Sequence, residues 1–201
     1  MQVLPSALEN LIEELGKLPG VGPRTAERYA FFLLKRGPDQ VSSLSAALKD
    51  IHSKIAYCPK TFALIEKGEI ISNLYKAPGR DKKLVAVVED PLDIAAIEKT
   101  GYYKGTYHVL GGVLSPIDNI GPDELHIKEL IGRIKEDKVK EVIIATNPTI
   151  EGESTALYIQ KLLAGKSVKI TRLARGLPAG ADIEYADQIT LSRALQERQL
   201  F

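Results

Sequence analysis

The segment 141-EVIIATNPTIEGESTALY-158 decides how the chain is read. Val142, Ile143, Ile144 and Ala145 form a short apolar run, followed by small, polar and acidic residues. Apolar residues then resume at helical spacing with Ala156, Leu157, Ile159, Leu162 and Leu163. That pattern predicts a strand, a loop and a helix. In an open α/β sheet such a loop lies at the carboxyl end of a strand, where ligands and partners are met. The loop from Thr146 to Glu153 is therefore the first candidate for chemistry or recognition. An earlier run of the same kind, Leu84 to Val88, also ends on acids, Glu89 and Asp90. Whether these acids form a metal site decides the kind of function.

Working outward, the same alternation fills the second half of the chain. Leu84 to Glu89 predicts a strand, Pro91 to Thr100 a helix, Thr106 to Leu110 a strand and Gly111-Gly112 a turn. Asp123 to Glu136 predicts a helix with Leu125, Leu130, Ile131 and Ile134 inward. Glu141 to Ala145 and Val168 to Leu173 are the remaining strands, Glu151 to Leu163 the helix between them, and Leu191 to Gln199 a terminal helix. Short apolar strands separated by helices imply a mainly parallel sheet covered on both faces. The fold class is α/β.

The first half is helical. Leu8, Leu11, Ile12 and Leu15 share one face of a first helix that ends near Gly16, and a second helix carries Ala26, Tyr29, Ala30, Phe32 and Leu33. Between them lies Leu18-Pro19-Gly20-Val21-Gly22-Pro23-Arg24. Two glycines are expected to turn the backbone through positive φ, with Pro23 in the first turn of the next helix. The amide groups at that helix start would then point toward an anion such as a phosphate. Lys17, Arg24, Arg28, Lys35 and Arg36 surround the hairpin against a single acid, Glu27. The unit is similar to the helix-hairpin-helix motif, which grips DNA backbone without reading sequence. A third helix, Asp39 to Ile55, completes this domain.

Between the halves, Cys58 opens a small module with expected β-character at Ile70, Ile71, Leu74 and Tyr75 and a turn at Pro78-Gly79. The expected domains are residues 1–56, 57–81, 82–173 and 174–201. Lys and Arg number 27 against 26 Asp and Glu, which excludes a global basic field and makes any polyanion site local. One Cys, no bilayer-length apolar run and no secretory pattern predict a cytoplasmic protein. His108 is expected to be a packed, hydrogen-bonded histidine rather than a base. Arg172 and Arg175 flank Leu173-Ala174 and are expected to be surface charges or, if copies of the chain close into a ring, to line its interior.

Six blocks in order carry a resemblance. They are the hairpin 18–24, the Cys-started module closing on Arg80-Asp81, Val87-Val88-Glu89, Tyr107-His108-Val109-Leu110-Gly111-Gly112, the loop 145–153, and Leu173-Ala174-Arg175-Gly176-Leu177-Pro178. Together they resemble RecR, the bacterial recombination mediator family, over nearly the whole chain. The resemblance implies a helix-hairpin-helix domain, a small zinc module, a Toprim domain and a C-terminal segment that helps build a ring-shaped homotetramer or dimer. It implies binding to single- and double-stranded DNA, with Lys17, Gly20, Gly22, Arg24, Arg28 and Lys35 as the contacts. It further implies action with RecO, and in many bacteria RecF, to load RecA on gapped DNA, with Glu89, Asn147, Glu151 and Glu153 facing RecO. The expected place is the cytoplasm, in association with the nucleoid, and no enzymatic activity is expected.

Two departures follow from the same comparison. The family's zinc is held by two Cys-x-x-Cys pairs; here Cys58 alone remains, Thr61 stands at the second position, and the other pair falls near Ser72 and Tyr75. No metal or other cofactor is expected. Catalytic Toprim domains carry a Glu matching Glu89 and an Asp-x-Asp pair matching Asn147 and Thr149, which hold Mg²⁺. Amide and hydroxyl bring no charge there, so the alternative, a metal-dependent phosphoryl-transfer enzyme, is disfavoured.

Overall fold

The computed structural model describes residues 3–198. Residues 1–2 and the expected helix end at Gln199 lie outside them. The chain divides into two compact units, Met1–Ile55 and Ala56–Phe201.

The first unit holds α1 (Ser6–Gly16), α2 (Pro23–Leu34) and α3 (Pro38–Lys54). Pro23 and Pro38 each occupy the first turn of their helix, where a missing N–H costs nothing. The only fully buried residues of the three helices are Ala26 and Ala30. Their small side chains let α1 approach α2 closely, and Gly16 sits beside Ala26. Tyr29 and Phe32, apolar residues of the same helix, are 42% and 52% exposed. The helix buries a narrow alanine seam instead of a broad apolar face. Val41, Leu44, Leu48 and Ile51 line one side of α3 and are all exposed.

The second unit opens with a small module, in which β1 (Ile55–Tyr57) pairs with β2 (Leu64–Glu66) and is followed by α4 (Asn73–Lys76). The expected strand at Ile70 to Tyr75 is therefore corrected. Ser72 carbonyl accepts from the Tyr75 and Lys76 amides at 3.0 and 3.1 Å, which closes a helical turn in which Ser72 and Tyr75 both point inward. Ser72 stands at the helix start without a side-chain cap bond, and the burial of Ser72 and Tyr75 in this turn overrides the β-character of the isoleucines before it.

The body is a four-stranded sheet, wholly parallel, of β3 (Asp81–Val88), β4 (Gly105–Val109), β5 (Glu141–Ile144) and β6 (Lys169–Arg172) in the order β4-β3-β5-β6. Its helices are α5 (Pro91–Glu98), α6 (Ile127–Glu136) and α7 (Ile150–Leu163), and a short 3₁₀ turn at Ile183–Tyr185 and α8 (Gln188–Gln196) follow. Val85 and Val87 join Val142, Ile144, Leu130, Ile134, Ile159 and Leu163 on one face. Ala86 and Val88 join Tyr107, Val109, Ile94 and Ala63 on the other. Alternate residues of β3 thus meet opposite layers, and all four are almost wholly buried. The module covers the second face with α5: Thr61 carbonyl accepts from the Val109 amide at 2.9 Å. Arg80 closes it on α5, donating to Glu98 at 2.8 Å.

Candidate functional site

Two places gather the residues the sequence singled out, one in each unit. At the hairpin, the Val21 amide donates to the Leu18 carbonyl at 3.0 Å, closing a turn with Gly20 at φ 77°. Gly22 is different: at φ −78° and ψ 168° it is extended and caps α2 without a side chain. Only one of the two glycines uses positive φ, which corrects the expectation of two. Among the described residues the Gly22 and Arg24 amides have no partner, and the space beside both glycines is open. Arg24, Arg28 and Lys35 stand at i, i+4 and i+11 and share one exposed side of α2. Lys17 is also exposed but donates to Glu14 at 2.7 Å. Such a surface pair is worth little and yields readily to a phosphate.

Three aromatic rings belong to this surface and were missed. Phe31 lies on the same side as Arg28, Arg28 sits 5.7 Å from the Tyr29 ring, and Arg36 lies 4.4 Å over Phe32. The signal was the placement of cations beside aromatics around a seam too narrow to bury them.

The second place is the strand-end crevice. The chain leaves β3 toward α5 on one face and leaves β5 toward α7 on the other, so the two loops diverge between neighbouring strands. That is the topological switch point of an open sheet. There Glu89 accepts from the Asn147 amide at 2.6 Å and from Asn147 Nδ2 at 2.7 Å, one bond to each carboxylate oxygen. Thr149 caps α7 by accepting from the Gly152 amide at 3.0 Å. Asp90 caps α5, accepting from Leu92, with Asp93 returning the bond to the Asp90 amide. The acids and their neighbours are thus engaged in loop and helix-start bonds. An Asp side chain at position 147 could not make the Nδ2 bond to Glu89, and two facing carboxylates would need a shared proton or a cation between them. The amide closes the loop without one.

Of the other expected residues, Glu151 lies half-buried in the first turn of α7. Glu153 pairs with Arg175 and lies 3.8 Å from Arg172, which also binds Glu197. Both arginines therefore hold the segment after β6 against α7. His108 is fully buried; Nε2 donates to the His126 carbonyl at 2.7 Å and Nδ1 has no partner among the described residues. Burial holds its pKa down at about 3. It is a neutral structural residue, as the sequence suggested. Among the described residues, no cluster of three or more His, Cys, Asp and Glu could hold a metal ion, and no helix is long and apolar enough to cross a membrane.

Comparison with known proteins matches both places. Residues 8–52 match the family model described as RecR, helix-hairpin-helix, residues 83–174 match the Toprim domain, and residues 176–199 match RecR, C-terminal. The chain is 48% identical to the recombination protein RecR of Chloroherpeton thalassium over 98% of both chains. It is 50% identical to that of Moorella thermoacetica and 49% identical to that of Rippkaea orientalis, over 96% of each chain.

The chain belongs to the RecR family. The hairpin falls inside the RecR helix-hairpin-helix match and the Glu89–Asn147 pair inside the Toprim match. The small module lies between the two matched regions. Recombination, DNA repair and DNA binding follow from membership.

Proposed function

We propose that the chain is a RecR-type recombination mediator that holds single- and double-stranded DNA and catalyses no reaction. It acts with RecO, and with RecF where that protein is present, to load RecA onto gapped DNA in the cytoplasm, at the nucleoid. The observation that carries this reading is the side of α2 above the hairpin. Arg24 and Arg28 stand there near the free amides of the helix start, and Lys35, at the C-cap of the same helix, continues their side, with Phe31 exposed between Arg28 and Lys35. Cations and amides suit phosphate; exposed rings suit the bases of a single strand. One such patch is weak and salt-sensitive. Several held in one ring of copies raise the effective concentration of DNA sites and so the avidity. The uncovered apolar side of α3 supports self-association into a dimer or a tetrameric ring.

The engaged state of Glu89, Asn147 and Thr149 supports a non-catalytic crevice, since all three are consumed in holding the loop. Glu89 and Asn147 set the position of the loop that leads to Glu151, which we assign as the acid facing RecO; Glu153 is reserved for Arg175. The rival reading, phosphoryl transfer with Mg²⁺, predicts turnover on nicked, gapped or primed DNA. Two variants test the proposal. Replacing Arg24 and Arg28 with Ala is expected to lower DNA affinity at least tenfold at low salt with unchanged thermal unfolding, and Glu151→Ala to weaken RecO capture while sparing DNA binding. Unchanged DNA affinity in the double variant would overturn the hairpin assignment.

A further inference from the structure

The RecR resemblance brings a zinc expectation to the module at 57–81, and the side chains there do not fit that metal. Cys58, Thr61, Ser72 and Tyr75 stand at the four relevant positions, and all four are buried. Zinc takes thiolate, imidazole or carboxylate ligands in a tetrahedron. One thiol and three hydroxyls are not such a set, and the thiol and the Tyr75 hydroxyl are engaged otherwise. Cys58 Sγ accepts from the Ser72 amide at 3.3 Å and bonds the Thr61 side chain. Tyr75 donates its hydroxyl to Asp137 at 2.9 Å.

Asp137 joins the module's two turns to the body. It ends α6 and is 6% exposed at its side chain. Lys60, from the Cys58–Thr61 turn, donates to Asp137 Oδ1 at 2.7 Å, the same oxygen that receives the Tyr75 hydroxyl from the Ser72–Tyr75 turn. One carboxylate oxygen therefore ties together the two turns that two Cys-x-x-Cys pairs would join through zinc. The second oxygen accepts from Arg133 Nε at 3.2 Å. Arg133 in turn reaches the sheet, donating to Thr106 Oγ1 at 2.6 Å and to the Tyr107 carbonyl. The Tyr75 ring lies 5.1 Å from Lys60, 4.6 Å from Lys82 and 5.3 Å from Arg133, so its face meets all three cations.

We propose that this module folds without zinc, and that Asp137 clamps its two turns to each other and to the Toprim body through Lys60, Tyr75 and Arg133. A metal ligates its turns from within; this carboxylate grips them from outside and fixes them to α6 and β4. The module is then part of the body, consistent with its placement in the same compact unit.

The test uses the full-length protein. Elemental analysis of protein purified without chelators should find far less than one zinc per chain, and thermal unfolding should keep its midpoint with EDTA or with added zinc. Stoichiometric zinc whose removal lowers the midpoint would overturn the proposal. Asp137→Asn keeps the shape but removes the charge that neutralises buried Arg133; the midpoint should fall by roughly 10 °C, with limited proteolysis opening within residues 57–81. Tyr75→Phe removes one bridging bond and keeps the ring. It should fold, and cleavage there should quicken by a smaller factor than in Asp137→Asn. Glu136→Gln, which changes an exposed neighbour of Lys60 at 3.4 Å, should leave both readouts unmoved. Equal protection in wild type, Asp137→Asn and Tyr75→Phe would refute the clamp.

Discussion

Gly152 shows how tightly single residues shape the crevice. A Cβ there would lie 2.1 Å from the Asn147 carbonyl oxygen and 2.9 Å from Glu89 Oε1. The first obstacle is backbone, so the loop must move. Gly152→Ala is expected to cost about 1–3 kcal/mol, seen as a lower urea midpoint with an unchanged slope; full stability would contradict the geometry. The glycine was legible as part of a motif, but its reason was not. Glu89 and Asn147 are far apart in sequence, and only the register of β3 on β5, with Leu84 beside Glu141, brings them together. His108 carries a second residue-scale prediction. Its folded pKa is about 3 against an ordinary value of 6.5, because burial opposes the charge and outweighs the bond to the His126 carbonyl, which favours it, while Arg133 opposes it further. The unfolded chain therefore binds the extra proton, and stability is lost as pH falls below about 6.5. Between pH 7.5 and 5.5 the loss from this group is about 1.4 kcal/mol. His108→Gln keeps a donor toward His126 and should remove that part of the slope in urea titrations.

At the scale of elements, the sequence was most informative where periodicity and caps agree. The strand at Glu141–Ile144 and the helix at Ile150–Leu163 fall within a residue of expectation, because the apolar run is bounded by Thr149, a capping residue. Pro23 and Pro38 likewise announce their helix starts. The α4 turn was missed because isoleucines outweighed Ser72-Asn73 in a short stretch, where propensity decides little. The exposure of Tyr29 and Phe32 was missed for another reason. Helical spacing names an apolar side, but the width of that side depends on how close the partner helix comes, and Ala26 and Ala30 bring α1 close. The small module was legible in its losses, the three missing Cys, and illegible in its gain. Asp137 is far from Lys60 and Tyr75 in sequence, and nothing in the spacing of an aspartate at a helix end marks it as their partner.

For the whole molecule, a chain of net charge +1 is asked to hold a polyanion. Arg24, Arg28 and Lys35 concentrate positive charge along one exposed side of α2, and the proposed self-association would repeat that patch. The fold of each unit follows from local pattern. The proposed assembly does not, because the exposed apolar side of α3 marks a surface that can be covered without fixing what covers it or how many copies would meet. The most direct measurement is therefore the mass by light scattering of the protein with a gapped DNA duplex, across a salt series, beginning with the protein alone. The expected result is a mass near four times the 22.0 kDa chain, with DNA carried in the same particle at low salt and released as salt rises. A single-chain mass that carries no DNA at low salt would contradict it.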